Sequence, residues 1–514
     1  MNGQTITRTL LRLFRLNLKS RTSIQTPLFT PAIRSWSHRQ HVQPFSTTEY
    51  SEPNVLPQDK IFIAMSSGVD SSVAAALLLR SGHPRENLLP FYMANWSPSA
   101  SPDPIPPPPS ASGRAWQNRA STPQSSKAPS KCTEREYNDV KDVCRALGLH
   151  EPIYMNFEKE YWCEVFVPML EMYRCGMTPN PDIECNRRIK FGAVIKRLKD
   201  EFHRKSERVT EKESKWWLAT GHYAHVLYHT RTGASHLLRS IDLNKDQTFY
   251  LSTLRPDVLS RLLFPLGSYK LSKPAVKSLA RGLSLPGWRP GQIERPESMG
   301  LCFVEPGSGK GQTGFRRFLS EYLEPEPGDV IIGPSKKYPG ESESKETCAP
   351  EGTVVRKHAG LWHATIGEKA RFQLPQGSPE YQGKWYVSRK NRELNTLEIV
   401  RGQDNARLYG KGMIVGEWRW LGDDAADIVR EQSTSNERGL VAQFRHRQIP
   451  VKVSSVEQYG GSRHQSCFEG NEPHELKIIF DSPAMAIAPG QSAALWFGDR
   501  CLGGGVIRDA VELG

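Results

Sequence analysis

The chain lacks three features that would place it in common protein classes. Only 38% of its residues are hydrophobic, and no apolar run approaches the roughly 18 residues that span a bilayer, so we expect no membrane insertion. Its nine cysteines are odd in number and never spaced Cys-x-x-Cys, which argues against a zinc ribbon or a disulfide scaffold. The first 48 residues contain neither Asp nor Glu.

This acid-free leader is rich in arginine and hydroxyl residues, and leucines lie between its basic positions. Such a composition is typical of a mitochondrial presequence, with a disordered basic tail as the alternative. We therefore predict that residues 1–50 are a disordered presequence and that the protein acts in the mitochondrial matrix. The leader supplies seven charges of the chain's net +13, from Arg8, Arg12, Arg15, Lys19, Arg21, Arg34 and Arg39.

Residues 55–270 alternate between apolar strands and amphipathic helices, which predicts an α/β domain with a parallel sheet. The expected elements are strands at 88–93, 153–157 and 216–220 and helices at 70–80, 161–173 and 189–198. Residues 97–131 contain nine prolines and nine serines and are predicted to be a disordered insertion. Residues 200–215 are almost wholly polar and are predicted to be a solvated loop.

The carboxy-terminal half differs from residues 55–270 in its sequence pattern. Residues 271–407 consist of short segments punctuated by Gly and Pro, which indicates a small central domain. Residues 408–514 are expected to form strands only, and six short strands favour a β-barrel. The predicted fold class is therefore α/β plus β.

A loop of small and hydroxyl residues, Ser66-Ser67-Gly68, joins an apolar strand to a helix. Small residues let backbone N–H groups approach an anion, and the helix behind Asp70 adds a partial positive charge. The loop lacks the lysine of a Walker A motif. These features indicate a phosphate-binding loop, and an ordinary strand-to-helix turn is the alternative.

Two cysteines have contexts that suit sulfur chemistry. Cys185 follows a loop stiffened by two prolines and starts a helix, where the dipole and Arg187, Arg188 and Lys190 should acidify its thiol. Cys302 lies two residues after Gly300, between the apolar residues Leu301 and Phe303. Together they could carry a persulfide and release the product by forming a disulfide. Either cysteine could instead be a buried structural residue.

Several motifs extend this picture over most of the chain. They are SSGVDSS at 66–72, TPNPDIECN at 178–186, IKFG at 189–192, ATGHYA at 219–224, NKDQ at 244–247, GLCF at 300–303 and PGQS at 489–492. The first resembles the pyrophosphate (PP) loop of the ATP pyrophosphatases. The whole set, in this order, resembles the tRNA-specific 2-thiouridylases, and the leader favours their mitochondrial members. TPNPDIECN and NKDQ are the specific motifs.

The resemblance implies an adenine-nucleotide alpha-hydrolase-like (PP-loop) domain at 55–270, a central tRNA-binding domain at 271–407 carrying the second cysteine, and a tRNA-binding β-barrel at 408–514. The implied catalytic residues are Cys185, Cys302 and Asp182. The implied ATP-binding residues are Ala64, Met65, Ser66, Ser67, Gly68, Val69, Asp70, Ser71, Met93 and Gly221. The implied tRNA-binding residues are Asn180, Pro181, His222, Lys245, Asp246, Gln247, Arg445, His446 and Gln491.

The activity implied is ATP-dependent 2-thiolation of the wobble uridine, U34, of mitochondrial tRNAs. It would use ATP, Mg²⁺ and a persulfide sulfur donor, with the tRNA anticodon stem-loop as substrate and no resident metal. Alternatives are an amide-forming ligase or synthetase with the same loop, a tRNA-binding protein without catalysis, and an iron–sulfur site built from Asp182, Cys185 and Cys302.

Three positions depart from the family pattern. Ser67 replaces a glycine, Glu297-Ser298-Met299 replaces Asp-Ser-Thr, and Glu368-Lys369 replaces Gln-Arg, which we expect to weaken one loop contact.

Overall fold

The computed structural model describes residues 49–96, 131–206, 215–283, 293, 312–336, 348–372, 374–434, 439–460 and 475–513. Cys302 lies outside these ranges. So do the predicted presequence up to residue 48 and the predicted insertion up to residue 130. The insertion at 200–215 is described in part. Within the described ranges, no helix is long and apolar enough to cross a bilayer.

Five parallel strands form the first sheet, as predicted for an α/β domain. The strands up to residue 263 are β1 (Tyr50–Ser51), β2 (Lys60–Met65), β3 (Leu88–Ala94), β4 (Ile153–Asn156), β5 (Trp216–Ala219), β6 (His225–His229), β7 (Ser235–Leu238) and β8 (Leu262–Leu263). The sheet order is β4-β3-β2-β5-β8. Along β2, Ile61 and Ile63 join one hydrophobic cluster and Phe62 joins another, so both faces of the sheet are buried.

Helices cover both faces of this sheet. They are α1 (Val69–Arg80), α2 (Lys131–Leu147), α3 (Glu158–Tyr161), α4 (Val167–Arg174), α5 (Pro181–Glu184), α6 (Val194–Ser206), α7 (Thr248–Leu251), α8 (Pro256–Leu259), α9 (Pro265–Ser268) and α10 (Lys273–Leu283). Two π-helical segments, Trp162–Phe166 and Cys185–Ala193, join α3 to α4 and α5 to α6. Three-residue 3-10 turns occur at Arg85–Asn87, Leu361–His363, Pro379–Tyr381 and Ala406–Leu408.

The prediction of a loop at 200–215 is wrong for its first part. Helix α6 continues to Ser206, because Val194, Ile195 and Leu198 bury one face against the sheet and carry the polar turns that follow. Residues 207–214 lie outside the described part of the chain.

An antiparallel hairpin, β6–β7, was not predicted and connects the first sheet to the carboxy-terminal one. Strand β7 pairs with a barrel strand at Leu238 and Arg500. On its other side β6 pairs with β1, where Tyr50 lies opposite His229. Tyr50, placed by sequence in the leader, therefore belongs to the folded sheet.

The central sheet has four strands preceded by helix α11 (Gln312–Leu319). These strands are β9 (Gly328–Ile332), β10 (Val354–His358), β11 (Trp385–Asn391) and β12 (Thr396–Arg401), in the order β10-β9-β12-β11. The β9–β12 pair is parallel and the other two pairs are antiparallel. Its separate core includes Val330, Val387 and Ile399.

Six antiparallel strands close into the predicted barrel. They are β13 (Tyr409–Trp420), β14 (Leu440–Gln443), β15 (Val451–Gln458), β16 (Leu476–Met485), β17 (Ser492–Phe497) and β18 (Arg500–Glu512). Pairing of β17 with β18 completes the closure. The prediction of strands only is wrong at helix α12 (Ala425–Thr434), which buries Ala425 and Val429 in the barrel core.

The segment Gly176–Thr178, just before Asn180 and Asp182, is held by all three parts. From the central sheet, Lys390 Nζ donates to the Gly176 carbonyl at 2.8 Å. From the barrel, Gln491 Nε2 donates to the Thr178 carbonyl at 2.6 Å, and the Thr178 N–H donates to the Pro489 carbonyl at 2.9 Å. The central sheet and the barrel thus fix the entry to the TPNPD loop.

Burial lowers the pKa of Lys390 from 10.5 to about 7, with Glu368 opposing the shift and Arg316 adding to it. An unfolded chain therefore binds more protons at this lysine between about pH 7 and 10, and unfolding should become less favourable as pH rises through that window. We predict that from about pH 7 to 9 the native protein gains thermal stability relative to Lys390→Met. The exposed Lys384, just before β11, provides the control variant Lys384→Met. Parallel melting curves for native protein and Lys390→Met across this range would contradict the prediction.

Candidate active site

The loop Ser66–Gly68 lies at the carboxyl end of β2, the central strand of the parallel sheet. The chain passes to β3 on one side of β2 and later to β5 on the other, so the loop opens at the switch point where α/β proteins bind ligands. Met93, predicted to border the adenine, lies near the carboxyl end of the adjacent β3.

Hydroxyl groups hold the loop in shape. Ser71 Oγ accepts from the Ser66 N–H at 3.2 Å and lies 3.0 Å from the Ser66 carbonyl, while Ser72 Oγ donates to the Gly68 carbonyl at 3.0 Å. Ser67 has no positive φ, so the backbone accepts a side chain where the family pattern has glycine. These contacts form within one strand-to-helix turn, which explains why the motif was visible in the sequence.

Gly221 is needed because it packs directly on the first turn of α1. A Cβ at this position would lie 2.8 Å from the backbone carbonyl carbon of Asp70 and from the Ser71 nitrogen. The residue that follows the end of β5 is thus in backbone contact with the first turn of α1, directly behind the loop. The contact of Gly221 with the adenine stays a prediction.

Two partners of the loop escaped sequence reasoning. The Asp70 carboxylate accepts from the Tyr223 hydroxyl at 2.9 Å and from Lys273 Nζ at 2.8 and 2.7 Å. Tyr223 belongs to a quoted motif, but Lys273 lies 203 residues from Asp70 and no local pattern marks it. The sequence offered one indication of such a partner. The loop lacks the lysine of a Walker A motif, so a cation near the phosphates has to come from another part of the chain.

The donor set fits the phosphates of ATP. Backbone N–H groups at the start of α1, the Ser66 hydroxyl and a lysine beside Asp70 all suit an anion. In the described ranges, no cluster of three His, Cys, Asp or Glu side chains could hold a metal ion.

Cys185 is a buried thiol, 4% exposed, at the first position of the π-helical segment. Such segments recur at functional sites because the extra residue re-aims neighbouring side chains. The Phe191 ring of the same segment lies 5.6 Å from the His222 ring, next to Gly221 in sequence. His222 therefore connects the thiol segment to the phosphate loop.

Burial shifts the titratable groups near this thiol. It raises the pKa of Asp182, an effect that Lys190 opposes, and it lowers the pKa of His222 to about 3, an effect to which Lys190 adds. His222 Nδ1 lies 2.7 Å from Thr220 Oγ1. The imidazole is therefore neutral at physiological pH, and Lys190 is the cation that acts on both groups.

Two of the three cations expected to acidify Cys185 are engaged elsewhere. Glu184 Oε2 accepts from Arg187 and from Arg188, each at 2.7 Å, and Glu417 of the barrel lies 3.4 Å from Arg187. These carboxylates offset the two guanidinium charges. The prediction that Cys185 starts a helix is wrong, because the helical backbone begins at Pro181 and runs on through Cys185. Acidification of the thiol stays a prediction.

Comparison with known proteins shows which family has this domain architecture. The tRNA methyl transferase HUP domain model matches residues 59–113 and 109–306, the tRNA methyl transferase PRC-barrel domain model matches 316–401, and the aminomethyltransferase beta-barrel domain model matches 410–507. The mitochondrial tRNA-specific 2-thiouridylase 1 of Saccharomyces cerevisiae is 38% identical, covering 88% of this chain and 93% of that protein. This chain belongs to the tRNA-specific 2-thiouridylase family.

Other 2-thiouridylases agree with this assignment. The mitochondrial tRNA-specific 2-thiouridylase 1 of Schizosaccharomyces pombe is 34% identical over 88% of this chain and 91% of its own length. The tRNA-specific 2-thiouridylase MnmA of Bacillus cytotoxicus is 32% identical over 90% of this chain and 98% of its own length. The resemblance inferred from the motifs is confirmed.

Several residues that the 2-thiouridylase resemblance assigns to tRNA also brace the fold. Asp246 is 5% exposed and accepts from Arg239, Ser240 and Thr248 at 2.6 to 3.0 Å. Gln247 exchanges two hydrogen bonds with the backbone of Tyr223, each about 2.9 Å or shorter. Their contacts with tRNA remain predictions.

The barrel residues of this set show the same pattern. His446 Nε2 lies 3.2 Å from the Asp246 carbonyl, Arg445 donates to the carbonyls of Met485 and Ala486, and Gln491 binds Thr178. The departure at Glu368 likewise makes a contact, since Glu368 pairs with Arg316 of α11 at 2.5 Å. The expected weakening of one loop contact at this position stays a prediction.

Replacement of Gly221 by alanine should damage the phosphate loop. The new Cβ meets rigid backbone at 2.8 Å, so we predict a loss of about 1–3 kcal/mol in stability together with weaker ATP binding. Chemical unfolding and ATP titration would measure both effects. Gly377, whose Cβ would meet nothing within 4 Å, provides the control Gly377→Ala. Equal behaviour of the two variants would contradict this account of Gly221.

Proposed function

We propose that this chain is a tRNA-uridine 2-sulfurtransferase that thiolates the wobble uridine, U34, of mitochondrial tRNAs in the matrix, using ATP. The observation that carries the proposal is the junction at Gly221 and His222. Gly221 contacts the phosphate loop and His222 contacts the segment that begins with Cys185. These contacts support the proposal, because two consecutive residues link the proposed ATP site to the segment that contains a buried thiol. The printed names of the relatives support tRNA as the substrate.

The proposed chemistry has three steps. The C2 oxygen of the uridine attacks the α-phosphorus of ATP, and pyrophosphate leaves. The terminal sulfur of a persulfide on Cys302 attacks C2, and AMP leaves with the oxygen. Cys185 then attacks the Cys302 sulfur, which breaks the S–S bond to the base, releases 2-thiouridine and forms a Cys185–Cys302 disulfide. A sulfur donor supplies the persulfide, and a thiol reductant resets the disulfide.

Residues around the thiol have proposed roles in this reaction. Asp182, whose pKa is raised by burial, lies on α5 beside the loop that would receive the base and aids activation of the oxygen. Mg²⁺, bound with ATP, would neutralise phosphate charge. Asn180 and Pro181 would contact the base, which must leave the anticodon stack to reach the site.

The loop at 241–247 suits a single-stranded RNA region. Ile241 and Leu243 are 63% and 62% exposed, and Lys245 follows them on the same loop. Exposed apolar side chains can pack on unstacked bases while a lysine binds phosphate. The buried Asp246 carboxylate holds the loop in the conformation that presents them.

Thiolation can be tested directly. The purified chain with ATP, Mg²⁺, a persulfide source and unmodified tRNA should yield 2-thiouridine at position 34, detected by mass spectrometry after digestion. Cys185→Ser and Cys302→Ser should abolish the product, because each removes one sulfur of the proposed exchange. Cys163, an exposed thiol in the other π-helical segment, gives the control Cys163→Ser.

The alternatives predict different results. AMP release with an acceptor other than tRNA would support an amide-forming ligase, and tRNA binding without AMP release would support a non-catalytic protein. Equal thiolation by native protein and both serine variants would contradict the persulfide mechanism. A mass increment of a methyl group on the tRNA would contradict thiolation itself.

The tRNA surface can be tested by salt dependence. Lys245→Gln should weaken tRNA binding and reduce the slope of log affinity against log salt by about one, because one phosphate contact is lost. Lys215 is exposed at the opposite, amino-terminal edge of the sheet, so Lys215→Gln serves as the control. An unchanged slope for Lys245→Gln would remove this residue from the proposed interface.

A further inference from the structure

Lys273 brings a positive charge next to the phosphate loop, which contains no lysine or arginine itself. It is the first residue of α10, its side chain is 13% exposed, and its Nζ lies 2.8 and 2.7 Å from the two oxygens of Asp70. Asp70 in turn lies in the first turn of α1, directly behind the loop. The ammonium group is thus brought to the edge of the anion site from a distant part of the chain.

Other contacts hold Lys273 in this position. Its backbone N–H donates to Asp242 Oδ2 at 2.9 Å, which anchors the start of α10. The Tyr223 ring lies 5.5 Å from Nζ, and the Tyr223 hydroxyl donates to Asp70. The ammonium therefore faces a carboxylate and an aromatic ring. Three separate elements converge to place one charge.

A purely structural ion pair would leave the electrostatics of this site unfavourable. The Asp70 carboxylate would repel a polyphosphate bound at the loop, because both are anions in a partly buried site. A lysine that already contacts the carboxylate can offset this repulsion and donate to phosphate oxygens. We propose that Lys273 binds the pyrophosphate portion of ATP, contacting its oxygens while remaining beside Asp70. This inference rests on the proposed ATP-dependent function.

The test separates the phosphate contact from a structural role. Inorganic pyrophosphate with Mg²⁺, and separately AMP, are titrated into the full chain, into Lys273→Gln and into Lys270→Gln, which alters an exposed lysine three residues earlier. Loss of one charged donor should weaken pyrophosphate binding to Lys273→Gln by about tenfold or more while AMP binding stays within about threefold of native. Lys270→Gln should match the native protein for both probes.

Other outcomes overturn the proposal. Equal weakening of both probes in Lys273→Gln, or native binding of both, would leave Lys273 as a structural ion pair. Binding of neither probe to the native protein would contradict the proposed ATP-dependent function together with this inference. Lys273→Arg keeps the charge and covers the case in which the glutamine variant does not fold. Its pyrophosphate affinity should exceed that of Lys273→Gln, because the positive charge is kept, and a loss as large as that of Lys273→Gln would contradict a role for the charge.

Discussion

The backbone contact between Gly221 and the first turn of α1 is the constraint on which the site depends. Gly221 lies against the backbone of Asp70 and Ser71, and the next two side chains contact different neighbours. His222 packs on Phe191 of the thiol segment, and Tyr223 donates to Asp70. Three consecutive residues thus join the phosphate loop, the segment of Cys185 and, through the Tyr223–Gln247 hydrogen bonds, the loop assigned to tRNA.

A second constraint acts at Gly176–Thr178. The barrel supplies Pro489 and Gln491, and the central sheet supplies Lys390, a partly buried lysine whose pKa is lowered by desolvation. Burying a lysine is unfavourable unless its donors are satisfied, and here the Gly176 carbonyl accepts one of them. The unfavourable desolvation of Lys390 is consistent with a loop whose position is set by all three parts of the chain. This loop leads directly to Asp182 and Cys185.

Sequence reasoning succeeded where local chemistry determines structure. The apolar strands of the parallel sheet, the hydroxyl-rich loop and the six barrel strands each carry their signal within a few residues. It failed where tertiary packing decides. Helix α6 continues through polar residues because Val194 and Leu198 anchor it, and α12 forms among strands because Ala425 and Val429 fill the barrel core. The partner of Asp70 was invisible, since Lys273 lies 203 residues away.

The same distinction explains why motif residues can brace the fold and still serve a substrate. Asp246 stands in a motif that the family resemblance predicts to contact tRNA, yet its carboxylate accepts hydrogen bonds from Arg239, Ser240 and Thr248. A rigid loop loses less conformational entropy when RNA binds, so affinity can come from neighbours that the buried residue positions. His446 of the barrel also braces this loop. Its Nε2 lies 3.2 Å from the Asp246 carbonyl oxygen, and its ring centroid lies 4.8 Å from that of Tyr250. The residues that hold the loop and the residues that meet the substrate therefore need not be the same, although one short motif contains both.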